Sequence, residues 1–364
     1  MRALRPVHAS AGRKVRRPQR ASDGGLRLTP HWRVPVRGAR LDPYRGRETL
    51  ARPALCVSFL AILFVASTMA APVDNAALDV TRLDRWWNFD RPAESEARFR
   101  VELGNLPTGS AAEIELRTQI ARAQGLQRSF DAAHDVLDQV EKALPGRPQR
   151  VTVRYLLERG RVFNSSGQAT KAVPLFREAL ERSLDAGEDF LAIDAAHMLG
   201  IAAPTADRLK WNLDALAMTE RTSDSRSKRW LASLYNNIGW TYHERGDYAT
   251  ALHYFQKALP AWQARGGDKE VRIARWTLAR ALRSLRRLDE AWAIQRALLA
   301  EYEAAAEPSG YVYEELAEIE LAHENEMAAR PWFAKAYAAL STDPWLQANE
   351  SARLERLRQR GGVE

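Results

Sequence analysis

Between Leu231 and Trp262 the apolar side chains fall into two helical stripes separated by a break. Leu231, Tyr235, Ile238 and Tyr242 recur at steps of four, three and four residues, and Ala251, Phe255, Ala258 and Trp262 do the same. That spacing keeps each set on one face of an α-helix. Gly246-Asp247 interrupts the pattern, glycine freeing the backbone for a turn and aspartate offering an N-cap to the second helix. Gly239 and Ala251 are small residues placed where the two helix backbones would approach most closely.

A single helical pair cannot bury both of its apolar faces, so copies are expected on either side. Small residues fall in one register at Ala121, Gly160, Gly200, Gly239, Ala279 and Ala317, spaced 39, 40, 39, 40 and 38 apart. Twelve residues after each stand Ala133, Ala172, Asn212, Ala251, Ala291 and Ala329, and four further on Leu137, Phe176, Leu216, Phe255, Gln295 and Phe333. The chain resembles the tetratricopeptide repeat at Tyr235, Ile238-Gly239, Tyr242, Ala251, Phe255 and Ala258. The period resembles the longer, roughly forty-residue variant of that repeat, with the added residues between pairs, as in Leu184 to Glu188 and Arg265 to Asp268. The resemblance implies an all-α fold: a right-handed α-solenoid of about six helix pairs over residues 111–343, with capping helices at both ends, of the kind found in exported bacterial proteins.

Solenoid ends need covering. In the segment 71–110, Trp86, Trp87 and Phe89 are expected to lie over the first repeat, with a helix over Ala93 to Leu103. In the segment 344–364, Asp343-Pro344 reads as an N-cap and first-turn proline. It would open one closing helix with Trp345, Ala348, Ala352 and Leu357 on its apolar face. Pro174 and Pro331 share a repeat position, two after Ala172 and Ala329. They fit first turns, where a missing N–H costs little. Pro260 is expected to kink or end its helix, and Pro204 to shorten the helix containing Gly200.

Charge changes the picture at the N-terminus. Fourteen Arg or Lys and three acids in residues 1–52 give that stretch +11, against +8 for the whole chain, leaving the remainder at −3. A nucleic-acid surface requires a basic face on the folded domain, so the high pI does not argue for one. Residues 1–49 read as a disordered Arg-rich segment, or as upstream DNA translated from a misplaced start. Residues 50–70 then offer a basic flank, an apolar core from Val57 to Ala66 and small residues ending at Ala70, the pattern of a cleavable secretory signal. An uncleaved membrane anchor and a buried core helix are the alternatives. Cys56 is the only cysteine, so a chain cleaved after Ala70 has no thiol chemistry.

Catalytic and metal-binding patterns are missing from the sequence. His243-Glu244 and His323-Glu324 lack a second histidine four residues on, so neither forms a zinc-type pair. Asn164-Ser165-Ser166-Gly167 is a turn without the Gly-Lys-Ser/Thr of a phosphate loop. The sequence therefore argues for a binding protein, without cofactor or metal, rather than an enzyme.

The resemblance also implies which residues face the groove: those two and three before the small residue, and one and four after it. These are Arg122; Leu157, Glu158, Arg161 and Asn164; His197 and Met198; Asn236, Asn237, Trp240 and His243; Trp276, Arg280 and Arg283; Glu314, Glu315 and Glu318. Arg122, Arg161, Arg280 and Arg283 would be free to receive carboxylates. Asn237 would bond a peptide backbone, or else a neighbouring helix. Trp240 and Trp276 would sit near each other as aromatic anchors, or as core. The expected partner is an extended peptide or protein segment, with export to the periplasm. A membrane-anchored module sensing a small ligand or peptide is the alternative.

Overall fold

The computed structural model of the chain describes residues 76–364. The Arg-rich segment and the signal sequence expected within residues 1–70 lie outside the described residues. Two helices open the described chain, α1 (Val80–Trp86) and α2 (Pro92–Leu103). Six antiparallel pairs follow: α3 (Ala111–Leu126) with α4 (Phe130–Ala143), α5 (Gln149–Ser165) with α6 (Ala169–Asp185), and α7 (Asp189–Ala202) with α8 (Thr205–Arg221). Then come α9 (Leu231–Glu244) with α10 (Tyr248–Arg265), α11 (Asp268–Ser284) with α12 (Leu288–Ala304), and α13 (Gly310–Ala322) with α14 (Glu326–Leu340). Two short helices, α15 (Pro344–Asn349) and α16 (Ser351–Gly361), close the chain. Each pair packs on the next, giving the all-α solenoid expected from the register. Among the described residues there is no strand, and no helix is long and apolar enough to cross a membrane.

The register has a steric cause. A Cβ on Gly160 would come within 2.5 Å of the Phe176 ring, and one on Gly239 within 2.5 Å of Phe255. Both rings are fully buried, so at these two crossings the first helix presents glycine where the second inserts phenylalanine, whereas the sixth pair fits Phe333 against Ala317. The third pair solves the same problem differently. Asn212 replaces the usual alanine and lies against Gly200, its Nδ2 donating to Gly200 O at 3.2 Å and Arg208 O at 2.9 Å. The third pair is thus held by a side-chain bond to the facing helix.

The turn between helices repeats as closely as the crossing. Arg128, Gly167, Gly246, Arg286 and Glu324 each stand seven residues after their small residue, and each has φ between 62° and 83°. Glycine adopts that left-handed backbone freely, whereas Arg128, Arg286 and Glu324 hold it under strain. The third pair lacks this turn: α7 stops at Ala202, and Pro204 fixes the entry to α8, as the early proline implied.

The first-turn expectation for Pro174 and Pro331 is corrected. Helices α6 and α14 begin three residues before Ala172 and Ala329, which puts Pro174 and Pro331 at the sixth helical position rather than in the first turn. Each therefore removes an intrahelical hydrogen bond. Of the two outcomes expected of Pro260, ending the helix is excluded, since α10 runs on to Arg265.

At the N-terminus Leu83 and Phe99 are buried with Leu116, Ile120 and Ala123 of α3, and Trp86 and Trp87 pack at the margin. Phe89 is half exposed, stacks on Trp87 at 4.5 Å and lies 5.3 Å from the Arg122 guanidinium of α3. At the C-terminus the single closing helix proves to be two. Asp343 caps α15 by accepting from Trp345 N at 2.7 Å, and the backbone at Glu350 leaves helical geometry (φ −132°, ψ 34°) before α16. Leu346, Leu354 and Leu357 bury this end against Phe333 and Leu340.

Candidate functional site: the inner helix face

The first helices of successive pairs present one continuous face, and side chains at matching register positions meet across it. In the first half the contacts are ionic. Arg122 Nη1 donates to Glu158 Oε1 at 3.4 Å, Arg161 Nη1 to the same oxygen at 2.9 Å, and Arg161 Nη2 to Asp194. One turn nearer the helix N-termini, Glu115 receives Arg150 at 3.1 Å and Arg154 at 3.2 Å. At the far end Arg280 and Arg283 both reach Glu315, at 3.1 and 2.6 Å. Glu314 and Glu318 are taken by Arg353 and Arg356 of the closing helix.

The electrostatics follow from this stitching. Burial works against the charge of Arg161, but Asp194 and Glu158 raise its pKa above the ordinary arginine value. Burial likewise opposes ionisation of Asp194 and of Glu315. Their arginine neighbours nevertheless hold both carboxyls below the usual range. For Arg122, burial and the charge of Arg161 prevail and lower its pKa.

The four arginines expected to stand free are therefore bonded to the neighbouring repeat. Arg280 is buried and Arg283 nearly so, with Glu315 only 1 % exposed between them. They hold helices together.

The middle of the face, from α7 to α11, carries no such ladder. The position filled by Arg122, Arg161 and Arg280 elsewhere is Ile201 in α7 and Trp240 in α9. Trp240 and Trp276 lie with ring centroids 6.3 Å apart, meeting the expectation of proximity, and both are buried. Trp276 Nε1 donates to Tyr311 O at 3.1 Å, while Trp240 Nε1 is buried with no acceptor among the described residues. Asn237 Nδ2 and His197 Nε2 lie 3.3 Å apart, the bond to a neighbouring helix that was one of its two expected roles. His243 Nε2 meets Ser284 Oγ at 2.9 Å. Burial pushes the His197 imidazole down to about 4. Of the candidate groove residues, His197, Asn236, Trp240, Trp276 and Arg280 are buried, whereas Arg122, Arg161, Asn164, Asn237, His243 and Arg283 keep part of their surface. Among the described residues no cluster of His, Cys, Asp and Glu has the arrangement of a metal site.

The local chemistry and the helix register now meet a family pattern: residues 209–264 and 230–304 match the tetratricopeptide repeat model. Residues 209–304 are tetratricopeptide repeats. Among solved structures, the apo form of RapI is similar with a TM-score of 0.58 and 12% identity, over 77% of this chain and 80% of RapI. A signal-transduction ATPase from Pyrococcus horikoshii, PH0952, which carries a tetratricopeptide repeat sensor, aligns with a TM-score of 0.58 and 13% identity. That match covers 73% of this chain and 41% of the ATPase. NprR in complex with its cognate peptide NprX aligns with a TM-score of 0.50 and 16% identity, over 78% of this chain and 85% of NprR. At these identities the likeness is one of fold. No curated protein matches the chain significantly.

Several residues of this face escape the four-position groove rule. Glu115, Arg154 and Asp194 all stand six before their small residue, so the helical repeat did carry a signal for them. Asp84, which reaches Arg226 and Arg229 across 142 and 145 residues, leaves no trace in any local period. A 3₁₀ turn between α8 and α9, Ser225–Trp230, brings both arginines to it.

Proposed function

We propose that the protein is a non-enzymatic scaffold that holds an extended peptide or protein segment along the inner face of its repeats. The observation that carries this reading is the interruption of the ion-pair ladder between α7 and α11. There Asn237, His243 and the Trp240–Trp276 pair replace mutually satisfied charges. Asn237 and His243 are partly accessible amide and imidazole groups, able to bond a peptide backbone, and the His243 ring lies 5.3 Å from that of the buried Trp240. The ion-paired ends keep the solenoid's curvature while the neutral centre remains open to a ligand.

The test is selection of binding peptides from a displayed random library, followed by titration against Asn237→Ala and His243→Ala. Selected peptides should lose at least about tenfold in affinity for each variant, a backbone hydrogen bond being worth roughly 1.4 kcal/mol or more when a ligand buries it. Thermal midpoints should stay within a few degrees. Peptides indifferent to both substitutions would move the site elsewhere.

We propose in addition that residues 50–70 direct export, on the strength of the apolar core and the small residues before Ala71. The mass of the mature chain decides between a start at Ala71 and retention of Cys56.

A further inference from the structure

One short segment of the chain crosses the array instead of following it. Asp79 caps α1 by accepting from Thr81 N at 2.8 Å. From there the chain runs to Asp90 beside elements that are far apart in sequence. Trp87 Nε1 donates to Gln119 Oε1 of α3 at 3.1 Å. The Arg122 guanidinium lies 5.6 Å from the Trp87 ring and 5.3 Å from Phe89. Asp84 accepts from Arg226 at 3.0 and 3.1 Å and from Arg229 at 2.6 Å, both in the turn before the fourth pair. Asp90 reaches Lys269 at the start of α11 at 3.3 Å, an exposed and weaker contact. Twelve residues thus tie the first repeat to the fourth and fifth. Val80 also walls a cleft of about 420 Å³ with Arg150, Glu188, Phe190 and Arg226.

The segment engages Gln119 and Arg122 at the first-repeat end of the inner face and Arg226 and Arg229 before α9, the flanks of the neutral centre. Gln119 and Arg122 occupy groove positions of the first repeat, and Arg226 and Arg229 stand at the entrance to α9. We infer that residues 79–90 form a strap seated in the binding groove as a built-in competitor, and that the partner presents the same chemistry: carboxylates interleaved with aromatic rings. This rests on the groove reading above. The arginines at Arg226 and Arg229 supply the charge complement, and the Arg122 guanidinium supplies a flat cation for an aromatic ring. Helix α2 remains as the cap when the strap lifts, because Phe99 is fully buried against α3. Leu83 is the apolar anchor that a partner residue would replace.

The experiment uses the full chain with Asp84→Ala and Asp90→Ala, limited chymotrypsin cleavage, and a fluorescent peptide of residues 78–91. Cleavage after Trp86, Trp87 and Phe89 should be at least about tenfold faster in the double variant than in the unaltered chain. The peptide should bind the double variant at least about tenfold more tightly, because the unaltered chain fills its own site. Arg226→Ala with Arg229→Ala should show the same faster cleavage yet fail to bind the peptide, an asymmetry that simple destabilisation cannot produce. Circular dichroism with unchanged thermal midpoints identifies variants that remain folded. Equal cleavage in all forms overturns the strap. Faster cleavage with equal peptide affinity overturns the competition while leaving the groove reading intact. Faster cleavage with no binding to the double variant overturns both.

Discussion

Arg280 of the fifth repeat donates to Glu315 of the sixth at 3.1 Å, and both side chains are buried. Arg283, one turn along, donates to the same carboxylate at 2.6 Å. A buried carboxylate shared by two guanidinium groups fixes the relative position of α11 and α13, and its removal from water is compensated only while the arginines are present.

Replacing Arg280 and Arg283 together by alanine should therefore destabilise the array by roughly 3–5 kcal/mol, because Glu315 is left buried without a counter-charge. Thermal or urea unfolding measures it. A midpoint close to that of the unaltered chain would show that Glu315 is satisfied in another way. Adding Glu315→Gln to the double variant should recover part of the loss, since a neutral amide costs less to bury.

Gln295 stands where the other pairs place Leu137, Phe176, Leu216, Phe255 and Phe333. It is fully buried, and neither amide atom finds a partner among the described residues. Gln295→Leu is close in volume and removes two unsatisfied polar atoms, so it should stabilise by roughly 1–3 kcal/mol. Chemical denaturation checks this, and a destabilised variant would mean that the amide has a role in its pocket.

His197 gives the array a pH dependence of definite sign. Its folded value of about 4 lies below the ordinary imidazole value, about 6.5, so the unfolded chain binds the proton first. Stability should fall as pH drops from about 6.5 to 4, by roughly 3 kcal/mol from this residue at most. The loss from Asp194 and Glu315 comes lower, because their folded values are depressed and their contribution survives until they protonate. Unfolding free energies measured between pH 4 and 7 should flatten in His197→Gln. The same slope in that variant would assign the effect to other groups.

The sequence carried the repeat itself because the constraint is local and steric. Gly160 and Gly239 must be small where Phe176 and Phe255 cross them, so spacing alone reveals the pairing. Helix starts were less legible. Nothing in the composition around Pro174 and Pro331 marks that α6 and α14 begin early enough to place them in the second turn. The groove rule found the arginines but not their state, since Arg122 and Arg280 are paired with Glu158 and Glu315 of the next repeat. Those acids occupy the same register position, two before the small residue, so inter-repeat pairing could have been read from the columns. The Asp84 contacts could not, because they join residues 142 and 145 positions apart, far outside any repeat period.

The most direct test of groove binding is photo-crosslinking of a selected peptide that carries a photoreactive side chain, with the attachment sites mapped by mass spectrometry. Binding along the neutral centre predicts attachment within α9 and α11, Leu231–Glu244 and Asp268–Ser284. Attachment confined to α10 and α12, Tyr248–Arg265 and Leu288–Ala304, would contradict it.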